Sequence, residues 1–269
     1  MFLSRLIMKK LSISTILKRK SSDPLVMITA YDALFARLFE ESADLLLVGD
    51  SLTMSFGGNS DTLSATMDHM IYHTQAVCKG APNTFVICDM PFGTYIDEKT
   101  AFSNALRVYQ ETPADAIKIE GGADKAHLVK YLTQNGIAVC GHIGLLPQSV
   151  RAEGGYKVKG KSEDEALSLI ADAQAIENAG AFILVIEGVK ADVATRVAQS
   201  VSIPVIGIGA GNGVDGQVLV FSDMLGLYEP FVPKFVKQYT NGAKTVKESV
   251  ATYAQEVKNR KFPDENHIY

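Results

Sequence analysis

The sequence has few cysteines, little net charge and no long hydrophobic run. Three cysteines among 269 residues, with no C-x-x-C pair, exclude a disulfide framework and give no zinc signature. No stretch approaches the roughly 18 apolar residues that a membrane span needs. The formal net charge of -4 indicates no basic face that would neutralise phosphates. We therefore expect a cytoplasmic protein that acts on small molecules and binds neither nucleic acid nor a membrane.

The length of the chain and its apolar content of 47% allow one large core. Barrels of alternating strands and helices often occupy this length as one domain, so we expect a single domain over residues 1–269. Residues 1–22 combine apolar side chains at helical spacing with six basic residues. This pattern predicts an amphipathic N-terminal helix that caps the domain, because a signal peptide would need a longer apolar core.

Five apolar runs of the chain lead to a titratable side chain. The run Leu45-Leu46-Leu47-Val48 is followed by Gly49 and Asp50, and four later runs lead to Asp89, Glu120, His142 and Glu187. Continuous apolar runs are typical of parallel strands that are buried on both faces. In a parallel barrel the carboxyl ends of the strands form one functional face. We therefore predict an α/β protein with a (β/α)8 TIM barrel, and an open doubly wound sheet is the alternative.

Asp50, Asp89 and Glu120 would supply carboxylate oxygens from three strands. Like charges held close together repel unless a cation lies between them, so a divalent metal ion is the simplest explanation. The lack of paired histidine or cysteine ligands favours Mg²⁺ over zinc. The alternative is that backbone amides cap each of the three carboxylates independently.

A 2-oxo acid could complete such a site, because its ketone and carboxylate oxygens can chelate Mg²⁺. Chelation acidifies the carbon beside the ketone, which then needs only a base. Glu187 is the remaining carboxylate and is predicted to be that base. Lys118 would hold the carboxylate of the substrate, and Ser51 could donate to it. Lys118 also shares a strand face with Glu120, so a buried pair of these two residues is the alternative.

Three further patterns leave alternatives open. His69 and His73 are four residues apart on a predicted helix, which is consistent with a metal pair or with local packing and capping. The loop 144–161 carries three lysines and is either solvated or able to recognise an anion. Residues 211–216 match G-x-G-x-x-G, but no helix obviously opens there. We favour backbone amides that approach an anion or the substrate at the end of a barrel strand.

A series of motifs carries a resemblance to a known family over the chain from about Met8 onwards. They are, in order, Gly49-Asp50-Ser51, Tyr72-His73-Thr74, residues 80–83 (GAPN), 118–122 (KIEGG), 141–145 (GHIGL), 147–149 (PQS), 154–158 (GGYKV) and 204–211 (PVIGIGAG). Together they resemble the ketopantoate hydroxymethyltransferase family. The presence of so many of these motifs in one order makes the resemblance specific for this family.

The resemblance implies a barrel of the phosphoenolpyruvate mutase/isocitrate lyase type with an N-terminal helix and one Mg²⁺ per subunit. It implies an enzyme that transfers a hydroxymethyl group from 5,10-methylenetetrahydrofolate to 3-methyl-2-oxobutanoate. The product is 2-dehydropantoate (ketopantoate), formed through a Mg-stabilised enolate in the first step of pantothenate biosynthesis. It also implies a homodecamer, built as a pentamer of dimers, with the N-terminal segment at the interface.

The resemblance also implies roles for individual residues, and these agree with the roles inferred from the strand ends. The metal positions are Asp50, Asp89 and Glu120, and the base is Glu187. The positions that bind the oxo acid are Asp50, Ser51, Asp89, Lys118 and His142.

Two other functions compete with this interpretation. A carbon–carbon or phosphorus–carbon lyase of the same barrel group would typically use a loop that carries a cysteine. No cysteine occurs in residues 94–103 or 144–161. The second is a non-catalytic barrel that binds an oxo acid, and the complete set of strand-end carboxylates argues against it.

Overall fold

A closed barrel of parallel strands is the centre of the structure. The computed structural model describes residues 10–229 and 231–269, and within them eight strands pair in chain order, with the last strand pairing to the first. The strands are β1 Leu25–Thr29, β2 Leu45–Val48, β3 Phe85–Asp89, β4 Ala116–Glu120, β5 Val139–Gly144, β6 Ile183–Glu187, β7 Val205–Ile208 and β8 Gly216–Leu219. The barrel prediction is confirmed, and the open doubly wound sheet is excluded.

Helices connect the strands of the barrel. They are α1 Ile13–Leu17, α2 Ala33–Phe39, α3 Leu52–Ser55, α4 Met67–Gly80, α5 Glu98–Glu111, α6 Ala126–Gln134, α7 Val150–Glu153, α8 Glu163–Asn178, α9 Ala191–Ser200, α10 Phe221–Met224 and α11 Gly242–Lys258. Short 3₁₀ turns occupy Ala123–Lys125, Pro147–Ser149 and Glu265–His267. The helices α2, α5 and α8 have the N-caps Asp32, Asp97 and Ser162. Each of these side chains accepts a hydrogen bond from a backbone N–H of the first turn and so stabilises the start of its helix.

The barrel interior is filled by alternate residues of the strands. Leu45 and Leu47 of β2 belong to this buried cluster with Ile206 and Ile208 of β7. Ile16 of α1 is fully buried in the same cluster, so the N-terminal helix contributes to the barrel core. The burial of strands on both faces explains why their sequences are continuous apolar runs.

The N-terminal helix is shorter than the predicted residues 1–22. It spans Ile13–Leu17, and a capping box between Ser12 and Thr15 fixes its start. Residues 18–22 form turns, with Ser21 at a positive φ of 53°. Residues 1–9 lie outside the described residues.

The chain divides into two compact units, one that ends at Val220 and one that begins at Phe221. The first contains the barrel, and the second contains α10 and α11. The expectation of a single domain over residues 1–269 stays a prediction. In the described part of the chain, no helix combines the length and the apolar character that crossing a membrane requires.

Candidate active site

The strand-end side chains come together at the carboxyl ends of neighbouring strands. Asp50 follows β2, and Asp89, Glu120 and Glu187 are the last residues of their strands. The structure thus collects Asp50, Asp89, Lys118, Glu120, His142 and Glu187 on the face that a barrel uses for its site. All of them are buried except Glu187, whose side chain is 20% exposed. Glu187 is therefore the member of the group most open to a substrate.

Each of the three predicted metal carboxylates has one oxygen that accepts a hydrogen bond from an N–H group. Asp50 Oδ2 accepts from Gln148 Nε2 at 2.9 Å, and Asp89 Oδ2 accepts from the backbone N–H of Asp50 at 3.0 Å. Glu120 Oε2 accepts from the backbone N–H of Gln148 at 3.0 Å. These contacts differ from independent capping by backbone amides, because they link the carboxylates to one another and to a single glutamine.

Lys118 is the cation that these carboxylates share. Its Nζ lies 3.0 Å from Asp89 Oδ1 and 4.0 Å from Glu120 Oε1. Although burial works to lower the pKa of Lys118, the nearby carboxylates outweigh it and raise that pKa. Lys118 therefore stays protonated, and its closer carboxylate partner is Asp89. Lys118 is therefore not paired with Glu120 alone, as the alternative interpretation would require.

The site still carries more negative than positive charge. Burial, followed by the charges of Asp89 and Glu120, raises the pKa of Asp50 well above its ordinary value. Burial also raises the pKa of Asp89, although Lys118 opposes the effect. Removing these carboxylates from water while they repel one another costs free energy that a bound cation would offset.

The donor set fits Mg²⁺ in its chemistry. The three carboxylates provide hard oxygen ligands, and Glu120 Oε1 is buried with no hydrogen-bond partner among the described residues. The side chains are not already closed around an ion, since no group of three or more His, Cys, Asp or Glu within residues 10–229 and 231–269 is arranged as a metal site. Asp50, Asp89 and Glu120 thus stay the predicted ligands.

His142 lies between Lys118 and Glu187. Its Nδ1 is 3.1 Å from Lys118 Nζ, and its Nε2 is 3.3 Å from Glu187 Oε2. An ammonium group can only donate, so Nδ1 is the acceptor and the proton of a neutral ring lies on Nε2. This places an N–H beside the predicted base.

Ser51 is held at the start of α3 by a tyrosine. Its Oγ lies 2.8 Å from the Tyr31 hydroxyl, and His73 Nδ1 lies 2.5 Å from the Tyr31 carbonyl oxygen. His69 Nδ1 instead accepts from the backbone N–H of Thr66 at the start of α4. The two histidines therefore have separate local partners, and this favours packing and capping over a metal pair.

The loop after β5 is tied down by ion pairs. Lys159 Nζ contacts Glu153 Oε2 at 2.5 Å, and Lys157 Nζ donates to the Glu153 carbonyl oxygen at the same distance. Arg151 Nε lies 2.8 Å from Asp61 Oδ2 in the segment between α3 and α4. Two of the three lysines thus have partners within their own loop, which favours the solvated alternative over anion recognition.

The glycine cluster does not form a dinucleotide site. A strand, β8, begins at Gly216, where the fingerprint requires a helix. Gly211 adopts a positive φ of 79°, and a side chain there would collide with Ala191. The glycines are therefore explained by a tight turn and close packing after β7.

Two site residues were not predicted from the sequence, Gln148 and Tyr95. The Tyr95 hydroxyl donates to Gln148 Oε1, and Gln148 contacts two of the carboxylates described above. Gln148 lies in one of the motifs of the resemblance, but an uncharged amide in a loop has no strand-end signal that would single it out.

Comparison with known proteins identifies the family of the chain. The family model of ketopantoate hydroxymethyltransferase matches residues 10–265. The chain belongs to this family. It is 67% identical to the 3-methyl-2-oxobutanoate hydroxymethyltransferase of Sulfurimonas denitrificans, with 97% of this chain and 99% of that protein covered. The Helicobacter pylori (strain 26695) protein of the same name is 51% identical, with 97% of each chain covered. The predicted family and the prediction of a transferase enzyme are confirmed.

Solved structures support the predicted type of barrel. A 2,3-dimethylmalate lyase of the phosphoenolpyruvate mutase/isocitrate lyase superfamily has a TM-score of 0.60 at 17% identity, covering 96% of this chain and 92% of that chain. Phosphoenolpyruvate phosphomutase from Streptomyces platensis has a TM-score of 0.60 at 14% identity, with the same coverage. At these identities the likeness concerns the fold, and it confirms the predicted fold class.

Proposed function

We propose that this member of the family transfers a hydroxymethyl group from 5,10-methylenetetrahydrofolate to 3-methyl-2-oxobutanoate. The product would be 2-dehydropantoate, made in the cytoplasm as the first step of pantothenate biosynthesis. The names of the relatives support the oxo acid and the type of transfer. The observation that carries the proposal is the group of three buried carboxylates around Lys118, with Glu187 beside it and open to solvent.

Asp50, Asp89 and Glu120 would hold one Mg²⁺ through their carboxylate oxygens. Bound Mg²⁺ would polarise the ketone of the oxo acid and acidify the neighbouring C–H group. Asp50, Ser51, Asp89, Lys118 and His142 would bind the oxo acid. Lys118 has the charge to pair with its carboxylate, and Ser51 has a hydroxyl to donate.

Glu187 would remove the proton from the carbon beside the ketone. The partly exposed side chain of Glu187 can reach a substrate, and His142 Nε2 lies 3.3 Å from its Oε2. The enolate of the oxo acid then attacks the methylene carbon of the folate. Overall, one C–H bond, two C–N bonds and one O–H bond of water break, and one C–C, one C–O and two N–H bonds form. Water supplies the new hydroxyl group, and the two nitrogens of the released tetrahydrofolate take up the protons.

Proton NMR of 3-methyl-2-oxobutanoate in D₂O tests this proposal with the purified protein. We expect the signal of the proton beside the ketone to disappear when protein and Mg²⁺ are both present, and to persist with excess chelator. Addition of the folate should then produce 2-dehydropantoate. If neither exchange nor product appears with the oxo acid, Mg²⁺ and folate together, the proposed function is wrong.

We also propose self-association, with the homodecamer implied by the family as the expected state. Exposed apolar side chains at helical spacing support it. Leu34 and Leu38 on α2 are 67% and 66% exposed, and α11 exposes Val246, Val250 and Tyr253. Sedimentation equilibrium should give about ten times the chain mass of 29.1 kDa. A mass of one chain at micromolar concentration would contradict this proposal.

A further inference from the structure

Gln148 uses all the hydrogen-bonding groups of its side chain inside the site. Its Nε2 donates to Asp50 Oδ2 at 2.9 Å and to the carbonyl oxygen of Met90 at 3.0 Å. Its Oε1 accepts from the Tyr95 hydroxyl, and its backbone N–H donates to Glu120 Oε2 at 3.0 Å. The residue is 5% exposed. One residue therefore contacts carboxylates at the ends of two separate strands.

The partners determine which way the amide points. The Met90 carbonyl oxygen and the Asp50 carboxylate can only accept from Gln148, so both must face Nε2. Burial raises the pKa of the Tyr95 phenol, which keeps its proton and donates it to Oε1. A flipped amide would place Oε1 against two acceptors and Nε2 against a donor. The side chain is thus fixed in one orientation.

We propose that Gln148 is a positioning residue that fixes Asp50 and Glu120 for the cation and the oxo acid. Its side chain holds Asp50 Oδ2 and its main chain holds Glu120 Oε2, and each carboxylate then has one oxygen left to present. Gln148 acts through the carboxylates and takes no part in the chemistry. This inference rests on the proposed function, because it assigns the two carboxylates to the cation and the substrate.

The magnitude of the effect follows from the position of Gln148 behind the ligands. Hydrogen-bond partners of metal ligands fix the orientation of those ligands, and their loss typically weakens metal binding by about 10- to 100-fold. Without Gln148 Nε2, Asp50 Oδ2 would be buried without this donor, and the carboxylate could rotate. The backbone contact to Glu120 would remain, so metal binding should be weakened but not abolished.

Gln148→Met tests the proposal, because methionine has a similar volume and neither donates nor accepts at the amide positions. Mn²⁺ binding without substrates, followed by electron paramagnetic resonance, should be about 10- to 100-fold weaker than in the unsubstituted protein. The KM for the oxo acid should rise, and the KM for the folate should stay the same. A residue needed only for folding would not separate the two KM values in this way.

Tyr95→Phe removes the hydroxyl that orients the amide but leaves both N–H donors, so we expect a smaller change in the same direction. Tyr109→Phe is the matched control. The Tyr109 hydroxyl donates to the Asp115 carbonyl oxygen at 3.0 Å, away from the carboxylates, and its loss should leave Mn²⁺ binding unchanged.

Unchanged Mn²⁺ affinity and unchanged KM for the oxo acid in folded Gln148→Met would overturn the proposal. If that variant does not fold, the same two unchanged values in Tyr95→Phe would overturn it. Failure of the unsubstituted protein to bind Mn²⁺ and to turn over would instead refute the proposed function. The two failures are therefore distinguishable.

Discussion

His142 Nε2 lies 3.3 Å from Glu187 Oε2, while the other ring nitrogen lies 3.1 Å from Lys118 Nζ. The imidazole therefore stands between the buried ammonium group and the predicted base. Since Lys118 donates to Nδ1, the neutral ring presents N–H to Glu187. Although burial and Lys118 work to lower the pKa of His142, its contacts with Glu120 and Glu187 outweigh them and raise that pKa.

Glu187→Gln should remove proton abstraction and keep the binding of the oxo acid. Glutamine has the shape of glutamate and can lie beside His142 Nε2 in the same way, but an amide does not take up a proton near neutral pH. We expect deuterium exchange at the carbon beside the ketone, and turnover, to fall by about 10²- to 10⁴-fold. Isothermal titration with the oxo acid and Mg²⁺ should give a dissociation constant within a few-fold of that of the unsubstituted protein.

Glu177→Gln is the control for this substitution. Glu177 Oε1 accepts from the backbone N–H of Ser202 on the surface of the barrel, far from any proposed chemistry. The Glu177→Gln protein should exchange the substrate proton at the rate of the unsubstituted protein. Normal exchange in Glu187→Gln as well would assign the base to another group.

Asp50→Asn should stabilise the fold while it weakens the site. Burial, followed by the charges of Asp89 and Glu120, raises the pKa of Asp50, so its ionised form costs free energy in the folded chain. An amide has no charge to bury, so we expect the Tm of the variant to be higher at neutral pH without Mg²⁺. A gain of about 1 kcal/mol raises the Tm of a chain of roughly 150–250 residues by about 2–4 °C, and we expect a rise of this size. Differential scanning calorimetry with a chelator present measures this difference.

The stabilisation by Asp50→Asn should depend on pH with a definite sign. Because the pKa of Asp50 is raised in the folded chain, its protonation favours folding below the ordinary carboxyl pKa, and this contribution is lost as the pH rises through the raised value. The advantage of Asp50→Asn should therefore disappear on acidification, when Asp50 is itself neutral. Added Mg²⁺ should stabilise the unsubstituted protein more than the variant. An equal Mg²⁺ effect on both would remove Asp50 from the ligand set.

Much of the barrel could be predicted from the sequence, because buried parallel strands leave a pattern that needs no tertiary knowledge. The apolar run before Asp50 and the run that ends at Glu120 are visible as strands, and a parallel barrel brings their ends to one face. These two runs coincide with β2 and β4. The apolar runs and the polar residues at their ends were sufficient to predict these strands.

The rest depends on contacts that sequence spacing does not encode. Gln148 becomes a site residue only because a 3₁₀ turn after β5 carries it over to Asp50 at the end of β2. The amphipathic pattern of residues 1–22 continues past the point where the chain turns, so the predicted helix was too long.

Asp215→Asn should destabilise the barrel without affecting catalysis. Asp215 Oδ1 accepts from the backbone N–H of Ser21 at 2.8 Å, and Oδ2 accepts from Lys20 Nζ at 2.8 Å and from the backbone N–H of Val205 at 2.9 Å. An asparagine NH₂ group would face a donor in either orientation, so at least one buried contact is lost. We expect a loss of about 2–4 kcal/mol in the free energy of unfolding, measured by urea denaturation at constant protein concentration.

Asp97→Asn is the matched control for Asp215→Asn, because asparagine caps a helix about as well as aspartate and Asp97 is exposed at the start of α5. Its free energy of unfolding should change by less than about 0.5 kcal/mol. Asp215 joins the segment before β1 to the start of β7, at the end of the barrel opposite the carboxylates. The kcat/KM of folded Asp215→Asn should therefore equal that of the unsubstituted protein, and a specific loss of kcat/KM would show that the two ends of the barrel are coupled.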